Sequence, residues 1–287
     1  MGRWVIALVA AGVVLVAAAA RAQSGQVVLA PTVYASHNLP SDAITGFTVT
    51  CPPGYVAVSA GVSRPGPGST LLSVRPVGLR AYTFRFGNPA TNDPTRVTVA
   101  LACRRIRPPG PVILLKPVKT RVVVRPGAQK SGTLACPSNT TPAGAAVDLD
   151  PGRAKSVGSF AGAPLSVRST TATLRTIQFR IANAGSRAHV AVVNGACVTI
   201  LIATKLERAK LNTTISTYTN VIAPGRQRLH HRCPSGWTSL GAGYTLTSGA
   251  LRLDGAAALG TNGAWWVRNT AASPLTARLQ VICARVA

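Results

Sequence analysis

Three cysteines in this chain are each followed by proline: Cys51-Pro52, Cys136-Pro137 and Cys233-Pro234. Each is answered 52, 61 or 50 residues later by a cysteine that closes an apolar run, at Cys103, Cys197 and Cys283. Two more marks lie between opener and closer every time. An Ala-Gly-apolar triplet follows the opener (Ala60-Gly61-Val62, Ala143-Gly144-Ala145, Ala242-Gly243-Tyr244). An alternating run then ends in asparagine: "FRFGN" at Asn88, "FRIAN" at Asn183 and "WWVRN" at Asn269. From that asparagine to the closing cysteine is 15, 14 and 14 positions. The same order three times over predicts three copies of one unit, and a repeat sets the architecture before any single element is considered. It also selects one set from the many pairings six cysteines allow: Cys51–Cys103, Cys136–Cys197 and Cys233–Cys283. Each bridge would add on the order of 4 kcal/mol in the chain-entropy account.

Bridges need an oxidising compartment, and the N-terminus points to one. Met1-Gly2-Arg3-Trp4 precedes a 16-residue apolar run, Val5–Ala20, and Ala20-Arg21-Ala22 has the small-x-small form of a cleavage site. Residues 1–22 are therefore expected to be a signal peptide cleaved near Ala22. The run falls short of the ~20 residues that span a bilayer. The expected product is secreted or associated with the cell envelope.

Between the marks, apolar and polar residues alternate with period two, valine and threonine are abundant, and Gly/Pro/Asn/Ser turns recur at short intervals. That pattern predicts an all-β fold. The only helix candidate is "LIATKLERAKL" (201–211), between copies two and three. The expected arrangement is three tandem small disulfide-stapled β-sandwiches: repeat 1 over 23–112, repeat 2 over 113–208 and repeat 3 over 209–287. A bridge near the second and last strands of each copy would pin its two sheets together, as in immunoglobulin-like sandwiches. The alternative is one three-fold β-prism in which the copies share a core.

The Cys-Pro-x-Gly opener, the Gly-rich strand after it and the closing cysteine resemble those of exported bacterial β-repeat proteins. The resemblance implies export and β-structure and carries over no catalytic residue. Copy two departs from the opener, reading Cys136-Pro137-Ser138-Asn139.

Charge is the strongest functional feature. The chain has 31 Lys+Arg against 6 Asp+Glu, a formal +25, and losing Arg3 and Arg21 with the leader leaves +23. A chain this basic collects polyanions, and salt weakens the attraction. The densest stretch, residues 103–130, carries Arg104, Arg105, Arg107, Lys116, Lys119, Arg121, Arg125 and Lys130 without an acid. Its prolines suggest an extended basic strip able to track a linear anionic polymer. A second cluster, Arg226, Arg228 and Arg232, precedes the third opener. Aligned through the asparagine, Trp265 matches Phe84 and Phe179 and should face the core. Trp266 matches Arg85 and Arg180 and should face out, placed for stacking on a sugar ring or base. The other reading of Trp266 is a cover over a contact between copies.

Catalytic chemistry is hard to assemble from these residues. Asp148 and Asp150 are the one close carboxylate pair, in a segment that reads more simply as a strand edge before a turn. His230 and His231 adjoin Cys233, whose sulfur the repeat commits to a bridge. As strand neighbours they point to opposite faces, so no metal and no cofactor is expected. The sequence leads to a secreted non-catalytic binding protein of the cell envelope or extracellular matrix. Its basic units would act multivalently on polyanions. Anionic polysaccharide or wall polymer is the leading partner class, with non-specific nucleic acid or an anionic membrane surface behind it. The alternative is a structural or assembly protein with no polymer ligand.

Overall fold

The computed structural model describes residues 27–29, 32–89, 93–106, 112–149, 165–201 and 211–286. The expected signal peptide and most of the helix candidate, together with Arg107 and Asp150, lie outside the described residues. Every described regular element is a β-strand. In the first third these are β1 (Val27–Leu29), β2 (Val33–Leu39), β3 (Ala43–Thr50), β4 (Val56–Arg64), β5 (Thr70–Val77), β6 (Ala81–Asn88) and β7 (Thr95–Ile106). The middle third contributes β8 (Val112–Val124), β9 (Gln129–Ala135), β10 (Thr141–Asp148), β11 (Leu165–Ala172), β12 (Thr176–Asn183) and β13 (His189–Leu201). The last third contributes β14 (Leu211–Ile222), β15 (Gly225–Arg232), β16 (Thr238–Leu246), β17 (Leu251–Leu259), β18 (Asn262–Asn269) and β19 (Leu275–Val286). The described chain is all-β, as the alternation predicts.

All six cysteines are bonded, in the expected pairs Cys51–Cys103, Cys136–Cys197 and Cys233–Cys283. The openers follow β3, β9 and β15, and the closers lie in β7, β13 and β19. In each third the opener's strand and the closer's strand belong to different sheets, so every bridge joins two sheets. The residues after each opener form a tight turn. Tyr55, Thr140 and Trp237 donate their backbone N–H to the carbonyls of Pro52, Pro137 and Pro234. The residue before each of those donors has a positive φ: Gly54 at 80°, Asn139 at 59° and Gly236 at 77°. Asparagine is one of the few residues that tolerate this region. The departure of copy two from the opener is thus a substitution of one left-handed residue for another.

The expectation of three self-contained tandem sandwiches needs correction. The ladders form four antiparallel sheets, and two of them have six strands drawn from successive thirds of the chain. One six-stranded sheet has the order β3-β6-β5-β10-β13-β8 and the other β14-β19-β16-β11-β12-β9. A three-stranded sheet has the order β15-β18-β17, and in the fourth β7 pairs with β1 and β2 on one side and β4 on the other. The joints are β10 on β5 (Asp148 opposite Ser73) and β16 on β11 (Thr245 opposite Ser169). The strands also come together between the last third and the first. A Cβ built on Gly61 of β4 would stand 1.6 Å from the carbonyl oxygen of Ala256 in β17. One built on Gly255 would stand 2.5 Å from the Val62 oxygen. Only glycine permits backbones this close.

Each third keeps an apolar cluster of its own, around Phe84, Phe179 and Trp265, all buried as expected. A further cluster takes residues from all three thirds: Val58 and Ala102, Ala143 and Val198, Leu240 and Ile282 among them. The expected boundary at 112/113 falls at the start of β8, and that at 208/209 lies outside the described residues. Asn88, Asn183 and Asn269 are buried. Their Nδ2 groups donate to Leu39, Val124 and Ile222 at strand ends, and to Asp93, Arg187 and Ser273 in the following turns.

Candidate polyanion-binding surface

β8 is the outer strand of its sheet, paired with β13 alone. An edge position is what lets Pro117 sit inside it, because no ladder bond is lost on the open side. Side chains alternate between faces along a strand. Val122 and Val124 are buried, while Lys119, Arg121, Val123 and Arg125 are exposed. β9 is the edge of the next sheet and carries exposed Lys130. Asp148 and Asp254 pair with Arg75, Arg226 and Arg268, and Lys119, Arg121, Arg125 and Lys130 take part in none of these pairs.

Between β8 and β9 lies an open groove of about 370 Å³, whose lining includes Thr120, Arg121, Val123, Lys130, Thr133 and Phe179. The register explains the gap. Phe179 pairs with Gly132, where Phe84 pairs with Phe47 and Trp265 with Leu229. On the other strand of each seam stand Val122, His37 and Asn220, opposite Ala191, Val97 and Ala277. In the first third the His37 ring stacks on Phe47 with centroids 3.6 Å apart. In the last third Leu229 is accompanied by Tyr218 stacked on His231 at 3.7 Å, and His231 Nε2 donates to Asn220 Oδ1. In the middle third Val122 and Gly132 add no second ring to the seam, which Phe179 covers alone. A Cβ on Gly132 would lie 2.3 Å from Phe179 Cζ, so the ring already occupies the space a side chain would need.

The other expected binding residues are placed differently. Arg104 is fully buried, and its position in β7 beside the last third is the reason. Its guanidinium donates to the carbonyls of Cys103 (2.9 Å) and Ser239 (3.1 Å), and burial lowers its pKa to about 10. It is a tie between the first and last thirds and reaches no external polymer. Arg105 lies over the Tyr55 ring, and Lys116 is half-buried. The strip from 104 to 125 is therefore not one continuous basic ribbon; its exposed described part is Lys119, Arg121 and Arg125.

The second cluster is partly neutralised. Arg226 and Arg268 share Asp254, with contacts of 2.8 and 2.9 Å. Arg228 caps the Trp266 ring at 5.1 Å, and Arg232 is exposed. Trp266 is 7% exposed rather than solvent-facing. It packs with Ala100 of β7 and Ala257 of β17, covering the approach of the first third to the last, so no stacking platform stands there.

His230 is exposed and His231 half-buried, on alternate faces of β15. Burial lowers both imidazole pKa values, helped by Arg228 at His230 and by His230 at His231. Among the described residues, no three His, Cys, Asp or Glu side chains gather as a metal site would require. Asp148 is buried in its sheet beside Arg75.

What the sequence reading missed is the seam itself. The available signal was Gly132, which stands where the matching runs have Phe47 and Leu229.

No protein-family model matches the chain, and no curated protein matches it in sequence. A chain from a solved structure described as the triple jelly roll fold and turret assembly in an archaeal virus aligns with it. The identity is 8%, over 92% of this chain and 90% of the other, at a TM-score of 0.21. A likeness that weak carries no argument about fold or function.

Proposed function

We propose that this protein is an exported, non-catalytic binding protein of the cell envelope or extracellular matrix that contacts anionic polysaccharide through the β8–β9 seam. One observation carries the reading. Lys119, Arg121, Arg125 and Lys130 stand exposed on two adjacent sheet edges, outside the described ion pairs, beside a groove open to solvent. Exposed cations outside those ion pairs attract a polyanion at a range set by ionic strength, about 10 Å at 0.1 M salt and 3 Å at 1 M. Three bonded disulfides agree with export. The multivalent form, one weak site per copy, lacks this support in the first and last thirds, where side chains fill the corresponding seams.

The finer architecture belongs to the same reading. We infer that the three thirds close around a common axis as a three-fold β-prism. The support is that β5–β10, β11–β16 and the β17–β4 approach join each third to the next in a ring, around the cluster all three share.

The test is binding of the protein to polygalacturonate and to its neutral methyl ester across a salt series. The expected result is binding to the charged polymer alone, falling steeply with salt, and lost when Lys119, Arg121 and Arg125 are all changed to Glu. Binding to neither polymer, or binding indifferent to salt, overturns the proposal.

A further inference from the structure

We propose that the β8–β9 groove is a saccharide subsite that takes one carboxylate-bearing pyranose ring. The inference rests on the polysaccharide reading above and narrows it from a charged face to a shaped site. Its starting point is the difference between three seams built on the same register. His37 with Phe47 closes the first and Leu229 with the Tyr218–His231 stack closes the last, whereas the middle one has only the Phe179 ring over Gly132. The groove runs there, and exposed Arg121 and Lys130 flank it from the two edges.

The lining selects the ligand. At about 370 Å³ the groove is of the size that small ligands occupy, and larger than a bare oxyanion needs. Thr120, Ser131 and Thr133 offer hydroxyls that can both donate to and accept from ring hydroxyls. Val123, 56% exposed, gives an apolar rim for the C–H face of a sugar. Arg121 can grip a planar carboxylate through two parallel N–H bonds, and Lys130 adds a point charge. Phe179 is 3% exposed, so the groove offers no open aromatic face on which a nucleobase could stack.

The experiment is calorimetric titration with trigalacturonate, its methyl ester and inorganic phosphate, alongside polygalacturonate binding. Variants are Arg121→Gln and Lys130→Gln in the groove, Arg278→Gln exposed on β19 and outside the lining, and Ser131→Phe to fill the groove without changing charge. Thermal melting of each variant confirms folding. Trigalacturonate is expected to bind where the ester and phosphate do not. R121Q, K130Q and S131F should each weaken it about tenfold or more, about 1.4 kcal/mol, and R278Q less than about twofold. Equal losses in R121Q and R278Q, unchanged binding in S131F, or phosphate binding as tightly as trigalacturonate would overturn the subsite. If polygalacturonate still binds with salt dependence in those cases, the polymer reading stands without it. If polygalacturonate does not bind the unaltered protein, both readings fall together.

Discussion

Asn88, Asn183 and Asn269 do one job three times: a buried amide ties the end of a neighbouring strand to the turn after its own. Replacing any of them with alanine strands a buried carbonyl, that of Leu39, Val124 or Ile222, at about 1–3 kcal/mol, and the drop is measurable by denaturant unfolding. Asn139 is a different case, an exposed residue held at positive φ. Asn139→Gly should leave stability within a few tenths of a kcal/mol, whereas Asn139→Ala should cost about 1–2 kcal/mol because a Cβ disfavours that region. Paired melting curves of the two variants decide the point. The three asparagines were legible in the sequence as marks of unknown purpose. The turn role of Asn139 was hidden because glycine and asparagine look unlike as letters, though alike in the backbone they allow. For Trp266 the cover between copies is the reading that holds, and the stacking platform the one that does not. Alternation correctly turned it away from its own third's core, but one strand's pattern could not choose between those two partners for its outer face.

Among the elements, β4 and β16 show what the glycine of the Ala-Gly-apolar triplet does in two copies of the three; a Cβ on Gly144 of copy two would meet only Ser59 Oγ, at 3.8 Å. Gly61 meets the backbone at Ala256, and a Cβ on Gly243 would lie 2.6 Å from the Thr170 oxygen. Gly61→Val or Gly243→Val would push two strands apart, with a loss of roughly 3 kcal/mol expected from overpacking, read by chemical denaturation. Such contacts were out of reach from sequence, since a glycine in a strand announces close approach without naming its neighbour. β15 adds a pH dependence. Burial holds His230 and His231 below their ordinary pKa, so the unfolded chain takes up protons first as pH falls. Stability from this source is complete above about pH 6.5 and declines through the acid range below it. Melting temperature should therefore fall between neutral pH and pH ~5, and less so in His231→Phe, whose ring can keep the stack on Tyr218.

For the molecule as a whole, the contact between the first and last thirds matters most. Arg104, Trp266 and the Gly61–Ala256 approach all lie on that joint. Arg104→Ala should destabilise the protein by about 1–3 kcal/mol while leaving polygalacturonate binding unchanged, a pairing of results that a surface arginine would reverse. The tandem picture was the natural reading of three similar segments, because similarity along a chain says what a unit contains and nothing about which unit it pairs with. A joint of this kind sets an order of events. A chain threaded through a membrane from its N-terminus delivers β4 long before β17, the strand that covers it. Until the last third arrives, β4 keeps an unprotected edge of the sort that recruits other strands. With export N-terminus first, as proposed, the protein does not mature third by third as it emerges. Its final shape waits on β17, and a chain cut short after β13 should clump where the intact one folds.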